Sequence, residues 1–323
     1  MFDVLIVGCG NIAGGFDVGR EAGAPPLTHA GAFTENPAFR IAACVDPDEQ
    51  QRAAFQARWA VAEGAADIAS LNAGIGQFDI VSICSPTLFH AEHLEAAIGL
   101  RPRLIFCEKP VTPTAAETER WTRRAAEAGI LLAINHTRRW APDVVRLAAE
   151  LRSGARGVLR SITATYNKGV LNNGAHIADL LHLLAGELMV RAAGVPIWDH
   201  WPDDPTIPAL LETADGVPVS LAVADARDYA LFEVAITTST GVVTMEEGGM
   251  AWRERRAVPS TNFPGYQVLE PGEQIAGEYP LAMRAAIANL HNALLHGEPL
   301  ASDGASALAA QRVCEAIRAA SVD

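Results

Sequence analysis

Short runs of Val, Ile and Leu recur in the first part of the chain at 3–7, 40–45, 79–84, 103–107 and 130–134. They do not alternate with polar residues, which is the pattern of parallel strands covered by helices on both faces. Helix-like segments separate them. One runs from Ala115 to Ala128, opened by Thr114, a good N-cap, and closed by Gly129, suited to the residue after a helix. Strand and helix alternating in this way predict a doubly wound α/β sheet. From about residue 157 the rhythm changes, and strand-like pieces such as Val158–Tyr166, Val217–Val223 and Leu231–Thr237 replace it.

The first strand leads into Gly8-Cys9-Gly10-Asn11-Ile12-Ala13-Gly14, a G-x-G-x-x-G/A pattern with Ala13 in the third slot. Gly8 permits the tight turn, Gly10 lets backbone approach a pyrophosphate, and Ala13 permits close packing of helix on sheet. Asn11 and Ile12 lie on the same turn and are cofactor candidates with it. The second strand ends in Asp46, where a carboxylate can accept hydrogen bonds from an adenosine ribose. No arginine follows it directly to hold a 2′-phosphate, so NAD is expected rather than NADP. Asp46-Pro47-Asp48 would equally suit a helix start. Asp46 lies farther from Gly10 than the usual spacing of about 20 residues. The excess is Gly15 to Leu27, rich in Gly and Pro, read as an insertion before a helix near Thr28: a cofactor flap or a plain surface loop.

Bulk composition narrows the classes. A chain of 323 residues is long enough for two domains, each with its own core. The net charge of −13 argues against a nucleic-acid partner, which needs a basic face. No apolar run approaches a membrane span, and the opening Met1–Val7 lacks the basic flank of a signal peptide. The 5 cysteines are scattered with no CxxC pair, which argues against disulfides or a metal site and for a reducing cytoplasm.

Three further segments occur in order: Ser85-Pro86-Thr87-Leu88-Phe89-His90, Glu108-Lys109-Pro110, and Gly174-Ala175-His176-Ile177-Ala178-Asp179. With the glycine turn, this set resembles the Gfo/Idh/MocA family of glucose–fructose oxidoreductase and inositol dehydrogenase relatives, over nearly the whole chain. The resemblance implies a Rossmann domain over 1–136. It also implies an α+β domain over 137–323 with a large, mostly antiparallel sheet, one face of which forms a homodimer or homotetramer. A terminal helix over about 306–321 is expected to pack back on the Rossmann domain. Ser85, Pro86, Thr87, His90 and Glu108 are assigned beside the cofactor, with His90 at a helix start.

Lys109 follows the strand Leu104–Cys107, so it projects from the carboxyl end of the sheet, where open α/β folds bind ligands. In the family, the lysine of Glu-Lys-Pro hydrogen-bonds the reacting oxygen and the proline often fixes an unusual backbone geometry. His176 and Asp179 fall together beside the apolar stripe of Ile177, Leu180, Leu181 and Leu184, whereas His182 falls nearly opposite it. A histidine in a first helical turn is biased toward the neutral imidazole that a general base requires. The resemblance assigns His176 that base role. Asn172, four before it, stands where typical inositol-dehydrogenase-like members carry an aspartate. An amide can bind a hydroxyl but cannot take its proton, and Asn172 would serve equally as an N-cap. Asp179, Arg138, Arg139, Tyr166 and Lys168 complete the substrate candidates. The expected activity is hydride transfer between NAD and a hydroxyl or carbonyl carbon of a sugar, a sugar derivative (nucleotide-linked included) or a cyclitol. The alternatives are transient oxidation by bound NAD that drives elimination or glycoside cleavage, and a dinucleotide-binding sensor.

Overall fold

The computed structural model describes residues 1–21, 23–71 and 74–322. The chain divides into two compact units, residues 1–140 with 280–308 and residues 141–279 with 309–323.

In the first unit the described strands are β1 (Phe2–Val7), β2 (Phe39–Val45), β3 (Glu63–Ala65), β4 (Ile80–Ile83), β5 (Leu104–Cys107) and β6 (Leu131–Ile134). They form one parallel sheet in the order β3-β2-β1-β4-β5-β6. The order reverses between β1 and β4, the switch point at which open α/β sheets bind ligands. β1 explains why its sequence does not alternate. Val4 and Ile6 join one core with Phe33, Phe39, Phe106 and the helix Ala282–His296. Leu5 and Val7 join the other with Val81, Ile83, Leu94 and Trp121. From Val4 to Val7 both faces are dry, so all of those positions are apolar. The three-residue edge strand β3 carries no apolar run and is held by backbone pairing to β2, which is why its sequence gives no strand signal.

Helices α1 (His29–Glu35), α2 (Glu49–Trp59), α3 (His90–Leu100) and α4 (Ala115–Glu127) cover the sheet. Thr114 caps α4 by accepting from Glu117 N, and Gly129 takes φ +71° just beyond it. The stretch between Gly14 and α1 has a specific construction. Gly14 N donates to Gly10 O, one helical turn, and after two wider bonds, Gly15 N to Gly10 O and Phe16 N to Asn11 O, the chain leaves. It returns so that His29 N donates to Ile12 O (3.2 Å) and Ala30 N to Ala13 O (2.8 Å). The ladder that begins at the glycine turn therefore resumes in α1, with 15–27 looped out between. Asp17 closes the base of the loop. Its carboxylate accepts from Leu27 N (2.9 Å), Thr28 N (3.1 Å) and Thr28 Oγ1 (2.6 Å), and Arg58 donates to its backbone oxygen. Thr28 in turn caps α1 through Gly31 N. Of the insertion, Ala22 lies outside the described residues.

The second unit contains helices α5 (Pro142–Ser153) and α6 (Gly174–Ala185) and strands β7 (Leu159–Tyr166), β8 (Leu188–Ala193), β9 (Ala209–Thr213), β10 (Pro218–Val223), β11 (Phe232–Thr238), β12 (Gly241–Glu246), β13 (Ala251–Pro259), β14 (Gln267–Leu269) and β15 (Gln274–Ala276). Among the described residues these strands make one sheet in the order β14-β13-β12-β11-β7-β10-β9-β8, with β15 beside β13. Only the pair β7–β10 is parallel. Ile162, Ala164 and Tyr166 of β7 are buried while Thr163 is exposed, so here one face is packed and the other is not. The last helix is Gly304–Ala320.

A loop closed at its base by Asp17 interrupts the ladder without supplying its bonds, and such loops tolerate shortening. Deleting 15–27 so that Gly14 joins Thr28 is expected to leave a folded protein with unchanged far-ultraviolet circular dichroism. The expected change in Tm is no more than about 5 °C. Loss of the cooperative melting transition would show that the insertion belongs to the core.

Candidate active site

The glycine turn is fixed by close approach. Gly8 has φ +89°, and a Cβ there would stand 2.8 Å from Ser85 N and 2.9 Å from Ser85 Cα. Only glycine tolerates both the conformation and the end of β4 at that distance. At Gly10 a Cβ would meet only Gln51 Oε1, at 3.8 Å, so the space beside that backbone is open to a ligand. Ala13 is fully buried as expected, and close packing extends to Gly14, where a Cβ would strike the Trp59 indole at 2.3 Å. Asn11 is exposed and Ile12 half-buried on the same turn. Asp46 is locked against it. Its Oδ2 accepts from Cys9 N (2.8 Å) and its Oδ1 from Asp48 N (2.9 Å). The side chain that caps α2 is Asp48, bonded to Gln50 N and Gln51 N. The helix-start reading of Asp46-Pro47-Asp48 thus falls on Asp48. A dinucleotide fits this arrangement, with open backbone at Gly10 and an oriented carboxylate one strand away.

The end of β4 supplies Ser85, half-buried Thr87 and exposed Pro86. Ser85 Oγ lies 2.8 Å from His93 Nδ1. His90 is corrected. It is the first residue of α3, as expected, but its side chain is fully buried and cannot touch a cofactor. Nε2 faces Ser85 O at 2.8 Å and Nδ1 faces Pro110 O at 2.9 Å, so the ring ties the two loops together.

Lys109 is half-buried just past the carboxyl end of β5, and the Lys109–Pro110 peptide is cis. Behind it is a group the sequence did not single out. His29 is fully buried, with Nδ1 2.7 Å from Ser82 Oγ and Nε2 2.9 Å from Glu108 Oε1. Asn135 Nδ2 donates to the same Oε1 at 2.6 Å, and Lys109 N lies 3.3 Å from Oε2. Phe106 stacks beside the imidazole with centroids 4.4 Å apart. Glu108 is therefore an ion-pair partner of His29, with its side chain 13% exposed. The signal for His29 was the looped-out segment: with 15–27 set aside, it falls within the first turns after the glycine motif.

Two further candidates are corrected. Arg139 is buried, and its guanidinium donates to Ala301 O (3.3 Å), a bond within the first unit. Tyr166 is fully buried; its hydroxyl donates to Ile207 O (2.7 Å) and accepts from Ile207 N (3.2 Å). It is a core residue with both hydrogen-bonding roles used. Arg138 is half-buried on the turn Thr137–Trp140.

In the second unit Lys168, Asn172, His176 and Asp179 lie along one continuous stretch. The chain passes through Lys168 at φ +64° into a wide helical turn, Gly169–Asn173, and then into α6. Such widened turns concentrate at functional sites. The N-cap reading fails here, because Asn173 is helical and makes no capping bond, while Asn172 Nδ2 donates to Lys168 O (3.2 Å). Two buried carboxylates absent from the sequence reading hold the turn. Asp204 accepts from Leu171 N and Asn172 N, both 2.9 Å, and Asp199 accepts from Lys168 N (3.0 Å) and Ala226 N (3.1 Å). A Cβ at Gly169 would strike Asp204 Oδ2 at 2.1 Å, so the turn and its clamp require that glycine. His176 is half-buried and Asp179 buried. Ile177, Leu180, Leu181 and Leu184 form the buried stripe as expected.

Burial alone would keep His29 neutral, but Cys84 and the Glu108 carboxylate outweigh it and push its pKa up to about 10. Burial acts against Glu108 as well, yet His29, Asn135 and Lys109 hold its carboxyl below the ordinary range. A raised His pKa stabilises the fold fully below the ordinary value of 6.5, and that stabilisation fades as pH rises toward about 10. A lowered Glu pKa stabilises above the ordinary 4.5 and the effect is lost on acidification. His29→Gln, which leaves Glu108 without its cation, is expected to cost about 3–5 kcal/mol. The Tm gap to wild type should be widest between pH 4.5 and 6.5 and should narrow toward pH 10. A gap independent of pH would contradict the ion pair.

Comparison with known proteins points to the same fold. Residues 2–136 match the model of the Gfo/Idh/MocA oxidoreductase family, NAD-binding Rossmann fold. Scyllo-inositol 2-dehydrogenase (NADP+) of Bacillus subtilis is 32% identical over 90 residues, 28% of this chain and 25% of its own length. The chain spans about a quarter to just over a half of the length of the curated relatives it matches. Two solved structures resemble nearly the whole chain in fold. One is a 3-ketoreductase from Actinomadura kijaniata in complex with NADP and TDP-benzene, with TM-score 0.75, 20% identity and coverage of 100% and 98% of the two chains. The other is an oxidoreductase from Agrobacterium radiobacter with NAD+, L-tartaric acid and magnesium, with TM-score 0.77, 18% identity and coverage of 99% and 96%. Residues 2–136 are thus similar to the NAD-binding Rossmann domain of the Gfo/Idh/MocA oxidoreductase family.

Proposed function

We propose that this protein is an NAD-dependent oxidoreductase acting at a hydroxyl or carbonyl carbon of a sugar, a sugar derivative or a cyclitol. The observation that carries this reading lies within the first unit. An open glycine turn, a carboxylate locked beside it and a lysine at the end of β5 stand at the switch point of one sheet. Gly8, Gly10, Asn11, Ile12, Ser85, Pro86 and Thr87 would hold the dinucleotide, and Asp46 its adenosine ribose. A fixed carboxylate there repels a 2′-phosphate, which supports NAD. Similar proteins bind either form: NADP in the ketoreductase, NAD+ in the Agrobacterium oxidoreductase. When bound, the nicotinamide supplies the two-electron acceptor or donor.

Lys109 is assigned to donate a hydrogen bond to the reacting oxygen and stabilise charge on it. His176 is assigned as the base, with Asn172, Asp179, Lys168 and Arg138 binding substrate hydroxyls or acidic groups. With an amide at Asn172, either the proton relay rests on Lys109 and His176 alone or the substrate differs from those of typical inositol-dehydrogenase-like members. The unpacked face of the second sheet, where Leu210 and Met189 are exposed, is assigned to self-association as a homodimer or homotetramer. The described cysteines are free and buried, which supports a reducing cytoplasm.

The test is a cofactor-monitored assay over free sugars, sugar acids, cyclitols and nucleotide sugars, with NAD and NADP side by side. Lys109→Ala is expected to lower turnover by about 100-fold or more while leaving the Kd for NADH unchanged, and NAD should be the better substrate. Undiminished turnover in that variant would remove the assignment.

A further inference from the structure

Lys109 is bracketed by two fully buried histidines, neither of which can reach a ligand. On its amino side, His29 and Asn135 share Glu108 Oε1, and Oε2 faces Lys109 N. On its carboxyl side, His90 faces Pro110 O and, with its other nitrogen, Ser85 O at the end of β4. Glu108 N also donates to Ile83 O (2.9 Å), so the backbone entering Lys109 is tied to β4. Ser82, on β4, fixes His29 from the opposite nitrogen at 2.7 Å.

We infer that His29 is a positioning residue for Lys109, acting through Glu108 with Ser82 and Asn135 as its supports. The inference rests on the reading that Lys109 touches the reacting oxygen. The physical case is one of restraint. A lysine has a long side chain of high rotational freedom, so fixing the backbone from which it departs removes one source of displacement at its ammonium. Glu108 takes the strongest hydrogen bonds available, to a cation and two amides, on oxygens aimed in two directions. The groups facing His29 are Ser82 and Cys84 from β4, Glu108 from the end of β5 and Asn135 from the end of β6. Losing the imidazole leaves the Glu108 carboxylate held by Asn135 and Lys109 N, with less to fix its orientation. A displacement of about 1 Å at a catalytic group can cost on the order of a hundredfold in rate.

The experiment compares His29→Gln, Ser82→Ala, Lys109→Ala and the double variant Lys109→Ala/His29→Gln in the full-length chain. Turnover is measured with the best substrate of the panel and NADH binding by fluorescence. His29→Gln is expected to lose about tenfold to a hundredfold in kcat, and Ser82→Ala a smaller factor, each with an NADH Kd within about twofold of wild type. The double variant should be no slower than Lys109→Ala alone, because positioning has no value once the lysine is gone. A purely structural His29 would instead lower both single variants and the Lys109→Ala background by the same factor. If His29→Gln does not fold, Ser82→Ala and its combination with Lys109→Ala decide the matter by the same comparison. Wild-type kcat in the foldable support variants, with Lys109→Ala inactive, overturns the inference and leaves the function intact. An active Lys109→Ala overturns the function itself.

Discussion

A carboxylate taken out of water must be paired, and in the first unit the pairing of Glu108 with His29 organises much of what surrounds it. The imidazole comes from α1, its second partner from β4, the carboxylate from the end of β5 and the supporting amide from the end of β6. Four elements distant in sequence thus meet at one charge pair. An isolated buried pair of this kind is weak evidence for net stability, since desolvation offsets much of the attraction. Its clearer consequence is specificity. Removing either partner leaves an uncompensated charge, so the segments carrying them have one favourable arrangement, and Lys109 inherits it.

The same constraint gives the looped-out segment its meaning. The helix that starts at the glycine turn must resume in register for His29 to reach Glu108, and the bonds from His29 N and Ala30 N back to Ile12 O and Ala13 O keep that register. Asp17 closes the loop at its base, next to the turn at which α1 resumes. In the second unit Asp199 and Asp204 play a comparable part, pinning the wide turn that carries Asn172 toward α6.

What the sequence revealed follows from which forces act locally. The parallel strands were legible because burial on both faces leaves an unbroken apolar run, and α4 because its cap and terminating glycine are adjacent to it. The glycine turn and Asp46 were legible as a motif, although only the structure shows that Gly8 is demanded by Ser85, far along the chain. β3 was not legible, because three residues held by backbone pairing carry no pattern. His29, Asp199 and Asp204 were missed because their partners lie far off in sequence. Tyr166, Arg139 and His90 were misjudged for the converse reason. A polar side chain beside a motif looks available until its burial and hydrogen bonds are traced: Tyr166 bonds Ile207, His90 the loops at Ser85 and Pro110, and Arg139 is buried with a bond to Ala301 O.

The central claim is that a charged, buried imidazole stands behind Lys109. Nitrogen NMR of the histidine side chains in the intact protein measures this directly. The account predicts that the His29 ring keeps the signature of an imidazolium through neutral pH and loses it only as pH approaches about 10. A His29 ring already neutral at pH 7, or titrating near the ordinary 6.5, would contradict it.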